Sequence, residues 1–288
     1  MIPYFPQPGY HLFGPVTVHA FGAIVAVAVL TGWRMSVARA RTKGLDTELF
    51  QDLLVYVVLS GFVVAHLYSV LAYFPREAME DPLLLLKFWE DISSFGGFAG
   101  GLLGLWLFFR FKARDADASA RLRYLDVIAY VFPFAWAIGR LACTAAHDHP
   151  GTVTMFPLGI SLKSPEAQAY IAFFYREAGR SADLPQPAAL EKMAFHDLGW
   201  YEFLYMSCLM VPAFLALDRK PRPPGFFPIA FLLLYVPARF FLDFLRIGDA
   251  RYFGLTPGQY AGIAVFLAAI CFMGGRDRKG RRTAGPAP

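Results

Sequence analysis

Long apolar runs separated by short polar links set the pattern of this chain. Seven such runs fall near 16–33, 51–74, 95–111, 124–145, 200–217, 226–246 and 257–274. At about 1.5 Å rise per helical residue, each approaches or crosses a hydrocarbon layer roughly 30 Å thick. The pattern predicts an all-α integral membrane protein with seven transmembrane helices in one domain, residues 1–274. The cations fall in alternate links: Arg34, Arg39, Arg41 and Lys43; then Arg110, Lys112, Arg114, Arg121 and Arg123; then Arg219, Lys220 and Arg222. The segment after the last run adds Arg276, Arg278, Lys279, Arg281 and Arg282, bringing these four segments to 17 of the 27 Lys and Arg. Cation-rich links stay cytoplasmic, so the N-terminus is expected to be periplasmic and the C-terminus cytoplasmic.

Three segments outside the runs add to this picture. The link 75–94 carries Leu83 to Trp89, expected as a short helix lying on the outer membrane surface. The longest link, 146–199, is external by parity. Its stretch Ala167 to Ala178 has amphipathic spacing, which predicts a small periplasmic cap. Residues 275–288 read as a disordered basic cytoplasmic tail. No internal repeat of the kind common in transporters is visible.

Composition agrees with the pattern. The chain has 288 residues, 57% of them hydrophobic and 17% charged, and its 29 Phe and 14 Tyr suit lipid-facing surfaces and interfacial belts. Met1 to Val18 lacks the cations of a cleavable signal, so the first helix is expected to stay. The net charge of +5 sits in the cytoplasmic links and calls for membrane lipids as neighbours and no nucleic-acid partner. Cys143, Cys208 and Cys271 form no paired motif and read as small packing residues.

Charges inside the runs carry the chemistry. Arg239 lies in an apolar run with Tyr235 four residues before it and Asp243 four after; Arg140 lies in another. A cation near the bilayer centre costs at least ~2.5–3.5 kcal/mol, so such residues usually face a polar cavity. Counted along helices running outward, Arg140 rises roughly 24 Å and Arg239 roughly 20 Å. His19, Ser93, Ser94, Glu202 and Gln259 open the inward-running helices at a similar depth. Two cations at one level suggest an anion site, and the anion at hand in a bilayer is a lipid phosphate. Blander readings stand beside this one: an Arg239–Asp243 ion pair, a snorkelling Arg140, a hydrogen-bonded His19 and a helix-bridging Glu202. Gly96, Gly100 and Gly104, with Gly97 and Gly101 one residue over, have the spacing of close helix packing, or open backbone amides to a ligand. His147-Asp148-His149, closing on Gly151, suits acid–base work, phosphate hydrogen bonding or a solvated turn. Its two histidines could also take a metal, but no tetrahedral set is completed by clear spacing, so none is expected.

These residues resemble the prolipoprotein diacylglyceryl transferases of bacteria from about Pro15 to Ala269, in order. Pro15 to Gly22 is similar to that family's first-helix opening, and Ser94-Phe95-Gly96-Gly97 to its Ser-Phe-His-Gly-Gly segment. Gly139 to Gly151, GRLACTAAHDHPG, resembles the signature G-R-x-[GA]-N-F-x-N-x-E-x-x-G. His196 to Glu202 resembles H-P-x-Q-L-Y-E, and Tyr235 to Arg246 resembles Y-x-x-x-R-F-x-x-E-F-x-R. The departures are specific. Phe95 stands where the family has a histidine or where a one-residue shift has lost it, and Phe21 replaces a tyrosine. Cys143 and Ala146 replace the signature asparagines, and Asp148 replaces its glutamate.

The resemblance implies an inner-membrane, multi-pass enzyme. It would transfer the diacylglyceryl group of phosphatidylglycerol to the lipobox cysteine of an exported prolipoprotein, with the signal peptide as partner and no cofactor. It implies lipid binding by Arg140, Arg239, Tyr235, Gly96, Gly97, Gly151, Glu202 and His19. Catalysis would fall to the two arginines with His147, His149 and Asp148. With Phe95 unable to take a proton, the thiol base is sought among His147, His149, Asp148 and His19. The alternative is a non-catalytic relative that binds anionic lipid or the signal peptide.

Overall fold

The computed structural model describes residues 1–7, 9–13, 16–87 and 92–283; of residues 10–13, 16–18, 73, 94 and 275–283 it describes the backbone alone. Its elements run β1 (Gly9–Phe13), β2 (Val16–His19), α1 (Ala20–Thr42), α2 (Thr47–Tyr73), α3 (Pro75–Glu80), α4 (Ser94–Phe111) and α5 (Ala118–Ala146). There follow β3 (Pro150–Thr154), β4 (Ile160–Ser161), α6 (Pro165–Glu177), α7 (Pro187–Leu190), β5 (Ala194–Asp197), α8 (Leu198–Tyr205), α9 (Val211–Leu217), α10 (Phe226–Leu242) and α11 (Pro257–Thr283). A five-residue π-helical stretch, Met206–Met210, joins α8 to α9 just before Pro212, whose missing N–H interrupts the regular ladder.

Among the described residues, six helices are long and apolar enough to cross a membrane: Ala20–Thr42, Thr47–Ala72, Ala118–Ala146, Leu198–Leu217, Phe226–Leu245 and Pro257–Gly274. The seventh expected run is the shorter apolar helix Phe95–Phe111. The first span starts later than its apolar pattern suggests. Val16–His19 is extended and pairs with β1, so the helix occupies Ala20–Thr42 rather than 16–33. α11 continues to Thr283, so most of the segment read as a disordered tail is helical; residues 284–288 lie outside the described residues. In the link 75–94, a 3-10 turn covers Pro82–Leu86, and Phe88 and Trp89 of the expected surface helix lie outside the described residues.

The chain divides into two compact units, Trp33–Ile128 and Met1–Gly32 with Ala129–Pro288. In the first, α2 and α4 pack closely because the glycines of α4 present bare backbone. A Cβ on Gly100 would lie 2.3 Å from Ser60 O, and one on Gly104 would lie 2.4 Å from Tyr56 O. Gly96 belongs to the same face, with Val64 O 2.7 Å from its virtual Cβ. Ser60 Oγ donates across the contact to Gly100 O at 2.7 Å. Phe50, Leu53, Phe108, Tyr124 and Val127 form the core of this unit.

In the second unit the long link folds around a small sheet. β5 lies between β3 and β4, antiparallel to both, with Val153 and Ile160 each opposite Phe195. This three-stranded sheet is a feature the all-helical expectation lacked. α6 is capped by Ser164 and buries Ala167, Ile171 and Tyr175 against Ile160, Leu162, Leu190, Phe195 and Ile247. The amphipathic helix expected at 167–178 is therefore present, and it closes a small core of its own.

Candidate functional site

Three side chains from α5 and α10 meet around one carboxylate on α8. Asp197 caps α8 by accepting from the Trp200 amide at 2.9 Å, which starts the helix so that Glu202 falls in its second turn. Glu202 is 1% exposed. Tyr235 and Arg239 on α10, and Asp243 at its C-cap, recur every four residues and share one face. Tyr235 Oη donates to Glu202 Oε2 at 3.0 Å, and Arg239 Nη1 to Glu202 Oε1 at 2.5 Å. Arg239 Nη2 also reaches Asp243 Oδ1 at 2.7 Å. From α5, Arg140 Nε lies 2.8 Å from Glu202 Oε2, and its guanidinium stacks 4.6 Å from the Trp136 ring, one turn back.

Two guanidinium groups and two carboxylates thus balance in charge. The donors are not all spent. Arg140 Nε is in ion-pair range of Glu202 but is buried without an aligned hydrogen bond. A guanidinium carries five N–H donors, so each arginine keeps capacity for a further acceptor. The Arg140 side chain is 6% exposed and that of Arg239 23%, which makes Arg239 the more open of the two. Both the ion pair and the helix bridge anticipated as bland readings are present, and they form one network.

A second cluster follows at the end of α5. His147 has φ 51°, a left-handed turn that stops the helix and reverses the chain. Its ring is 1% exposed and packs against Tyr4, Phe5, Tyr170 and Phe195. His147 Nδ1 bonds Asp197 Oδ2 at 2.6 Å, while Nε2 has no partner among the described residues. His149 points elsewhere: its Nδ1 bonds Asp148 Oδ1, and these two side chains lie beside Cys143. Cys143 Sγ is 3.5 Å from Arg140 Nη1, so the thiol read as packing belongs to the arginine network.

The remaining expected residues separate. Gly151 sits where a Cβ would meet Leu245 O at 2.7 Å and His196 Cβ at 2.8 Å, so its lack of side chain lets β3 approach the end of α10. His19 is exposed at the end of β2. Gly96 and Gly97 lie on α4 in the other unit, where Gly96 serves close packing against α2. Burial holds the Tyr170 hydroxyl above its usual range, keeping it a proton donor to the His147 carbonyl. Burial pushes His196 below the usual histidine range; its Nδ1 bonds the Tyr201 hydroxyl at 2.8 Å. Sequence reasoning missed Trp136 and Asp197. The i,i+4 spacing of Trp136 to Arg140 was a usable signal, whereas the pairing of Asp197 with His147 spans 50 positions and left none.

Comparison with known proteins identifies the family. The model of the family described as prolipoprotein diacylglyceryl transferase matches residues 9–274. A phosphatidylglycerol–prolipoprotein diacylglyceryl transferase of Chromohalobacter salexigens is 30% identical over 267 residues, 89% of this chain and 87% of that protein. One from Xanthomonas oryzae pv. oryzae is 28% identical over 90% of this chain and 88% of its own. One from Tolumonas auensis is 27% identical over 90% and 92%. Arg140, Glu202, Tyr235 and Arg239 all lie inside the matched span, and the chain belongs to the prolipoprotein diacylglyceryl transferase family.

Proposed function

We propose that this protein transfers the diacylglyceryl group of phosphatidylglycerol to the lipobox cysteine thiol of an exported prolipoprotein, in the bacterial inner membrane. The observation that carries the reading is the pair of guanidinium groups, on α5 and α10, facing one buried carboxylate with donors unspent. In the reaction, the thiol sulfur attacks the glyceryl carbon next to the phosphate and the carbon–oxygen bond breaks. Glycerol phosphate leaves with the bonding pair, and its phosphate gains negative charge. Arg140 and Arg239 answer that charge with forked N–H donors, which a lysine cannot imitate. Glu202 and Tyr235 hold the two guanidinium groups apart and oriented. Asp148 and His149 are the groups for the thiol proton, with His147 behind them fixed through Asp197. Gly151 admits the strand that follows them. The N-terminus faces the periplasm, so the cap lies on the side from which the prolipoprotein arrives.

Expression in a bacterium depleted of its own transferase tests this. Rescue of growth with processed, lipidated lipoproteins supports the reading. Abundant, membrane-inserted protein without lipidation would instead favour a non-catalytic lipid-binding relative.

A further inference from the structure

The end of α5 brings three different donor groups together. The left-handed turn at His147 sends the chain back over the last helical turn, and the Asp148 amide comes to 3.4 Å from Cys143 O. The next residue is fixed as well: His149 O accepts from the Leu198 amide at 3.1 Å, and Pro150 pairs with Asp197. Gly199 makes room on the other side, since a Cβ there would lie 2.9 Å from Cys143 Cβ. One donor atom each from the Cys143 thiol, the Asp148 carboxylate and the His149 imidazole then lie within 4.8 Å of one another. The thiol is buried, the imidazole half-buried and the carboxylate exposed, so the cluster opens on one side.

We propose that Cys143, Asp148 and His149 bind one zinc-class ion, whose open fourth position takes the prolipoprotein thiol as a thiolate. Sulfur, nitrogen and oxygen donors together suit a borderline-soft ion; calcium and magnesium prefer oxygen throughout. At metal–ligand distances of ~2.0–2.3 Å, tetrahedral donors stand about 3.3–3.8 Å apart, so closure needs only ~1 Å of side-chain adjustment. His149 Nδ1 and Asp148 Oδ1 already face each other, and an ion seated between them would take the place of that contact. Arg140 Nη1 approaches the sulfur from outside at 3.5 Å, as outer-shell donors to metal thiolates do. Its charge is offset by Glu202.

The sequence gives a second reason. Cys143 and Asp148 are two of the positions that depart from the signature this chain resembles, and that family's histidine before Gly96 is replaced by Phe95 or lost by a one-residue shift. A bound metal deprotonates a coordinating thiol outright, so this trio can do the work of a missing base. The thiol proton leaves to water as sulfur binds. That sulfur then attacks the glyceryl carbon, the phosphate oxygen keeps the bonding pair, and the neutral thioether formed is a weak ligand that departs. This deepens the proposed function, which supplies the thiol substrate: Asp148 and His149 act as ligands rather than as a free base.

Cobalt(II) titration of the chelator-stripped full-length protein in detergent tests the site without reference to turnover. One equivalent should give a sulfur-to-cobalt charge-transfer band, displaced by one equivalent of zinc. A lipobox peptide with cysteine should intensify the band, and the same peptide with serine should not. C143S should abolish the protein band. H149Q, at a half-buried position that leaves the helix undisturbed, should weaken zinc binding at least tenfold, no less than outer-shell losses. A C208S/C271S double variant should keep the band. Absence of the band in wild type, its survival in C143S or its loss in C208S/C271S would overturn the site. An intact band without transfer activity would count against the proposed function, leaving the metal site standing.

Discussion

Glu202→Gln puts the charge network to its sharpest test. The carboxylate is 1% exposed and lies within 2.8 Å of Arg140 Nε and 2.5 Å of Arg239 Nη1. Glutamine keeps the shape, removes the charge and turns an N–H₂ toward at least one donor. Removing one partner of a buried pair costs ~3–5 kcal/mol, because the other charge stays buried. The Arg239 side chain is 23% exposed and partly screened, so most of the loss falls on Arg140, 6% exposed, and the lower end applies. At roughly 2–4 °C per kcal/mol, a loss of ~3 kcal/mol lowers Tm by about 6–12 °C. Thermal unfolding in detergent at one scan rate measures this. The double variant Arg140→Met, Glu202→Leu removes the most buried pair and leaves Arg239 its Asp243 partner, so it should unfold above Glu202→Gln, since apolar replacement of a buried pair is often near neutral. Glu202→Gln melting with wild type, or the double variant melting below it, would refute the network.

Changing both His147 and His149 to Gln should cut transfer by ~10²–10⁴ while phosphatidylglycerol binding, followed by lipid co-purification, persists; undiminished turnover would move thiol activation to His19 or the arginines. His196 is held neutral by burial, so between its folded pKa and the unfolded value near ~6.5 the unfolded chain binds more protons. Its contribution to stability is complete above that value and lost as pH falls; pH-dependent melting of His196→Gln should show a shallower decline than wild type. Gly100→Val should destabilise the α2–α4 pair by ~1–3 kcal/mol, as its Cβ meets Ser60 O at 2.3 Å, whereas Gly101→Val, 3.9 Å from its nearest neighbour, should melt close to wild type.

The helices were legible because a membrane span writes itself as a long apolar run, and the charges inside those runs were legible because they are costly there. Tyr235, Arg239 and Asp243 could even be placed on one face from their spacing. Glu202 joining both arginines could not, since that contact spans separate helices. The cap sheet was hidden because its strands have only two to five residues, too short for alternation to register. His147 and His149, two residues apart, looked like one cluster. A positive φ at His147 sends one ring to Asp197 and the other to Asp148 and Cys143, and nothing in residue order reveals that torsion. Cys143 read as packing because a lone thiol in an apolar run has no pattern to betray its neighbours.

The central claim is that two guanidinium groups drive transfer from phosphatidylglycerol. The direct measurement uses purified protein in vesicles of phosphatidylglycerol with a synthetic lipobox peptide, following the peptide's mass and the release of glycerol phosphate. Wild type should add one diacylglyceryl group per peptide thiol and release one glycerol phosphate. Arg140→Ala and Arg239→Ala should each lose ~10²–10³ in rate, with the lysine variants scarcely better. Wild-type protein that leaves the peptide unmodified, or alanine variants that transfer at the wild-type rate, would contradict the account.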